Sequence, residues 1–167
     1  MSHIHFEAHF DGEDALRGAV QMSSDPPPST LQGCLFSLDL ALRRFACQDL
    51  PEALKPRPLK LYPAPPLEAF DPKTIASTAA KPYRAQQPFD HMARVRQYLN
   101  ANPPDALRPR LEGRPPRGLA LTVFVDTTCR LHLASAFHAL PPRTRAQILI
   151  DWRDSLVRQA ADRGLSV

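Results

Sequence analysis

The chain has 167 residues, of which 43% are hydrophobic and 23% charged, with a formal net charge of +4. That is enough apolar sequence to bury a core without disulfide or metal support, and an ordinary balance for a folded domain. It holds no run of the roughly eighteen apolar residues a membrane helix needs, and Met1-Ser2-His3-Ile4-His5 lacks the basic and apolar regions of a leader, so no membrane partner and a cytoplasmic location are expected.

Cys34, Cys47 and Cys129 are odd in number and widely spaced, which excludes a disulfide framework and a CxxC zinc pattern; all three are expected to be reduced, and Cys34 and Cys47 to lie in the core. The Ala, Arg, Leu and Pro bias points to a bacterial source. Charge is unevenly spread: residues 1–54 carry three basic and eight acidic side chains, 55–117 twelve and five, and 118–167 six and four. A basic middle flanked by less basic ends suits an anionic partner, or the acidic first third of the same chain.

From the N-terminus, Ile4, Phe6, Ala8 and Phe10 alternate with His3, His5, Glu7 and His9, the pattern of a half-buried strand ending at Asp11-Gly12. Ala15, Leu16, Ala19 and Val20 then read as the inner face of a short helix over 13–22, stopped by Pro26-Pro27-Pro28. Ser29-Thr30-Leu31-Gln32 has the form of a capping box and opens a helix over 30–48. Its stripe of Leu31, Cys34, Leu35, Leu38, Leu42 and Phe45 is widened by Phe36, Leu40 and Cys47, which predicts a helix covered on most sides, with Arg43 and Arg44 outward.

Residues 51–117 hold fourteen of the nineteen prolines, which excludes long helices and central strands from most of this stretch. Leu59 to Tyr62 fits a short edge strand, and Phe89, Met92, Val95 and Leu99 mark one helix over 89–100. Beyond it, Leu119 to Val125 and Leu131 to Phe137 alternate as two antiparallel strands. A three-residue loop at 127–129 predicts the pairs Val125/Leu131, Val123/Leu133, Leu121/Ser135 and Leu119/Phe137. The last helix, over 144–163, starts at a second capping-box form, Thr144 to Gln147, and buries Ile148, Leu149, Trp152, Leu156 and Ala160. Asp154 and Arg158 are expected to pair along its surface, and Gly164 to end it. The sum is a single α+β domain over 1–167: a small, mainly antiparallel sheet packed by three helices, with a long Pro/Arg-rich irregular middle segment.

Three constellations bear on chemistry. His3, His5, Glu7 and His9 share one strand face, and a His-x-His pair at that spacing can offer two imidazoles to zinc or a similar ion, with a carboxylate or a third histidine completing the site and His132 and His138 of another strand joining it if the two strands are neighbours. The same alternation is also what a solvated strand face has. Glu7, Asp11, Glu13, Asp14 and Asp126 are carboxylates of the kind that hold Mg²⁺, although Asp126 is equally a turn residue facing Arg130. Arg94, Arg96, Arg108, Arg110, Arg114 and Arg117 would form a surface for a partner protein or for nucleic-acid phosphates. Cys129 at the hairpin tip has no histidine fixed beside it by the sequence, and there is no Gly-rich phosphate loop, GxSxG or HExxH.

Val125-Asp126-Thr127-Thr128-Cys129-Arg130, in a strand–turn–strand–helix context over about 118–165, resembles locally part of the retroviral-integrase and transposase catalytic core. That family places its first catalytic carboxylate on the preceding strand, where this chain has Pro/Arg-rich sequence with Asp105 alone, so the resemblance does not imply an active enzyme. The first expectation is therefore a non-enzymatic module that engages a partner protein or assembly through its Pro/Arg-rich middle. The alternatives are a sequence-independent nucleic-acid-binding protein using the same arginines and a metal-dependent hydrolase built on the histidine strand.

Overall fold

A computed structural model describes residues 4–10, 15–22, 26–55, 92–104, 119–120, 122–125 and 131–164, with 119–120 and 122–125 described by backbone alone. The turn at 11–12, the strand at 59–62, Phe89, the hairpin loop, His3, Asp126, Cys129 and the arginines at 108, 110, 114 and 117 lie outside the described residues.

The architecture is α+β. Strand β1 (Ile4–Phe10) pairs antiparallel with β2 (Leu16–Met22), and β3 (Leu119–Ala120) adds to the other side of β1, giving the order β2-β1-β3. A second, two-stranded sheet joins β4 (Thr122–Val125) to β5 (Leu131–Leu133). Helices α1 (Pro28–Gln48), α2 (Met92–Ala101), the short α3 (Ser135–His138) and α4 (Pro142–Asp162) complete the described elements, with a 3-10 turn at Glu52–Leu54.

The short helix expected over 13–22 is strand β2 over its described part. Leu16, Val20 and Met22 are buried at alternate positions with Gly18 between them on the same face, so the governing period is two. Gly18 is a poor helix residue, but here it lets α4 lie close: a Cβ would come within 2.8 Å of Ile148 O and of the Trp152 ring. β1 shows its expected alternation, with Ile4, Phe6 and Ala8 buried and His5 and His9 exposed.

The C-terminal hairpin keeps only its predicted mouth. Val125 pairs with Leu131 as expected, but Phe124 faces His132 and Thr122 faces Leu133, with a register shift in between. β5 ends at Leu133, and the chain turns into α3, so Phe137 is a buried helix residue and not a strand partner of Leu119, which pairs with Ala8 instead. Leu119–Ala120 belongs to one sheet and Thr122–Val125 to the other, and the register shift between Thr122 and Phe124 is the kind of irregularity a bulge produces.

Both long helices begin on proline. Pro27 and Pro141 occupy the cap positions, with Pro28 and Pro142 at the first turn, where a missing N–H costs nothing and a fixed φ suits the helix. The two capping-box sequences therefore sit inside the first turns and not at the caps. Thr144 is fully buried, and its Oγ1 has no hydrogen-bond partner among the described residues. α4 buries Ile148, Leu149, Trp152, Leu156 and Ala160 as predicted, and Gly164 follows it at φ 69°, a left-handed stop.

α4 lies over the inner face of the three-stranded sheet on one side and against α1 on another. Trp152 is its centre. The indole meets Phe6 edge-on at 5.4 Å, stacks with Phe137 at 5.9 Å, and donates from Nε1 to Glu7 O at 2.8 Å. α2 adds Met92, Val95 and Leu99 to the same core.

Candidate functional site

The described charged side chains divide into those that bind elements together and those that face outward. Asp151 is an example of the first kind: both its oxygens take the Arg17 guanidinium, at 2.8 and 2.9 Å, while it also accepts from Gly18 N and Gln147 Nε2. Gln159 Nε2 donates to Val20 O and Arg163 Nη2 to Met22 O, so two α4 side chains and that of its C-terminal cap residue bond the backbone of edge strand β2. This flank of α4 satisfies groups that would otherwise invite another strand.

Arg153 and Asp39 join α4 to α1 by a 2.6 Å bond, with side chains only 11% and 5% exposed. Burial pushes the Asp39 carboxyl above the ordinary carboxylate range, against the pull of Arg153 and Arg43. Arg96 of α2 makes a bidentate pair with Asp154, and that hydrogen bond holds the guanidinium still more firmly protonated. Asp154 therefore does not pair with Arg158 along the helix as expected; its partner comes from α2.

The sequence-predicted site residues fall in separate places. On β1, His5 and His9 flank one carboxylate, with Glu7 2.8 Å from His9 Nε2 and 3.7 Å from His5 Nε2, and Gln21 of β2 reaches it at 3.4 Å. His132 is exposed on β5, whereas His138 ends α3 and is not on a strand face with it. Among the described residues, no group of three or more His, Cys, Asp or Glu side chains is arranged to hold a metal ion. Of the arginine set, Arg94 is exposed on α2 and Arg96 is engaged with Asp154.

Two features escaped the sequence pattern. Phe36 and Leu40, predicted to be covered, are 41% and 43% exposed, and Cys47 is exposed and not in the core. With Arg43 they form an outward ridge at 4,3,4 spacing along α1. The core stripe at Leu31, Cys34, Leu35, Leu38, Leu42 and Phe45 is buried, so the helix is two-faced after all.

The second feature is a cleft of about 330 Å³ where the C-terminal turns of α1 meet the β5–α3 segment and the first turns of α4. Arg44, Gln48 and Asp49 line it from α1, His138 from α3 and Arg145 from α4, over Phe45, Phe137 and Leu149. Arg44, Gln48 and Asp49 lie about ninety to a hundred positions before His138 and Arg145, and nothing in the local sequence links them. No helix among the described residues is long and apolar enough to cross a membrane. Compared with family models, curated proteins and solved structures, the chain shows no match.

Proposed function

We propose that the protein is a non-enzymatic interaction module that engages a partner protein or assembly. The observation that supports this reading is the outward ridge of α1, where Phe36 and Leu40 stand more than 40% exposed on successive turns beside Arg43. Single exposed apolar residues are ordinary. Two large ones in register on a helix with a complete buried face of its own form an apolar strip with a basic border, which suits an acidic amphipathic partner. The arginines at 94, 108, 110, 114 and 117 add positive charge to the same chain, which an acidic partner would also meet.

The test is recovery, from the native host, of a partner in fixed stoichiometry with the full chain. Phe36→Glu combined with Leu40→Glu is expected to abolish the complex without changing the melting temperature, and deletion of 103–117 to weaken it. A complex retained by both variants would remove the reading. Binding of short DNA or RNA that falls steeply with salt and is lost in Arg108→Ala with Arg110→Ala would replace it by nucleic-acid binding.

A further inference from the structure

We infer that the cleft between α1, α3 and α4 is a binding site for a small organic anion, an apolar body bearing one carboxylate or phosphate. The first ground is an unsatisfied donor: Arg145 Nε is sealed from solvent and has no hydrogen-bond partner among the described residues. A buried donor left unpaired is unfavourable, and a small movement of the Arg145 side chain toward the cleft it lines would let an acceptor on a ligand complete it. The second is charge. Arg44 faces the cleft from α1 and His138 from α3, and Asp49 is the single carboxylate among the described lining residues.

The third ground is the floor. Phe45, Phe137 and Leu149 are buried and present ring and branched apolar surface beneath the polar rim. An inorganic anion would leave that floor unused, and a neutral hydrocarbon would leave the guanidinium unpaired. A cleft of about 330 Å³ stands at the small end of ligand sites, which run from about 300 to 1,000 Å³, so a single-ring acid is the matching size. Arg145 and Arg44 would take the anionic group in the forked geometry arginine favours, with Gln48 as a further donor. This site is independent of the α1 ridge and would stand if the proposed partner interaction failed.

The experiment titrates the full chain with phenyl phosphate, benzoate, benzyl alcohol and inorganic phosphate while following the arginine Nε–H resonances by NMR. Saturable binding of phenyl phosphate or benzoate at millimolar concentration or below, with a shift of the Arg145 Nε–H signal, is expected. The tighter of the two identifies the anion. Arg145→Met is expected to fold with an unchanged or raised melting temperature, because it removes an unpartnered donor, and to weaken binding by about tenfold or more. Arg44→Gln, on the exposed side, should weaken it less, and Asp49→Asn should strengthen it. Benzyl alcohol or inorganic phosphate binding as tightly as the organic anions would overturn the inference. So would affinity unchanged in both arginine variants, or no saturable binding of any probe.

Discussion

Helices α1 and α4 make an instructive pair. Each has 21 residues and each starts on a proline after a proline cap. α1 is the more apolar in sequence, yet it leaves Phe36, Leu40 and Cys47 at the surface. α4 carries more charge, yet it is the helix around which the described elements assemble, with Asp151, Arg153, Asp154 and Gln159 each bonded to another element. Hydrophobicity therefore did not decide which helix became central. Position did: α4 has a sheet on one side and a helix on another, so even its polar flanks meet protein, whereas the outward side of α1 leaves Phe36 and Leu40 more than 40% exposed.

The contrast can be broken most strongly at Trp152. Trp152→Ala is expected to lower stability by about 3–5 kcal/mol, whereas Leu40→Ala should change it by less than about 0.5 kcal/mol, both measured by denaturant unfolding. The buried ion pair gives the next largest effect. Asp39→Leu or Arg153→Met alone should cost up to about 3–5 kcal/mol, because each removes one side of a buried hydrogen-bonded charge pair, and the double variant should recover much of that loss. A double variant no better than the singles would show that the pair is worth more than its desolvation.

The raised pKa of Asp39 also sets a direction with pH. Since the folded value lies above the unfolded one, the stability it represents is complete below the ordinary carboxylate value and is lost as pH rises through the folded value. Asp39→Asn is expected to remove that component from the stability profile between acid and neutral pH. At Gly18, substitution by alanine should cost about 1–3 kcal/mol, because the new Cβ meets the Ile148 carbonyl and the Trp152 ring at 2.8 Å. The smallest effect belongs to the ridge: Phe36→Lys with Leu40→Lys should leave stability within about 0.5 kcal/mol of wild type and alter only association, read by sedimentation.

Much of the candidate surface was written in the sequence without being readable there. Phe36 and Leu40 are apolar residues near a core stripe, and nothing in their spacing tells a wide buried face from a narrow one with an exposed ridge. The cleft draws Arg44, His138 and Arg145 from three elements, so no local motif could announce it. The histidine strand was the reverse case, a visible pattern whose His5 and His9 lie about a shared carboxylate, with His132 and His138 on other elements.

By itself the sequence determined the α+β class, the alternation of β1, the existence of α1, α2 and α4, the inward residues of α4 and its glycine stop. These follow from local period and from backbone preferences that hold wherever a segment lies. Tertiary structure alone decided that Leu16–Met22 is a strand, that Leu119–Val125 divides between two sheets, that Asp154 belongs to Arg96, and which side of α1 faces outward. The reason is physical. Gly18 disfavours a helix whereas Ala19 favours one, and a carboxylate pairs with whichever guanidinium the packing brings within reach, so these outcomes depend on partners distant in the chain, 133 residues away for Gly18 with Asp151 and 58 for Asp154 with Arg96.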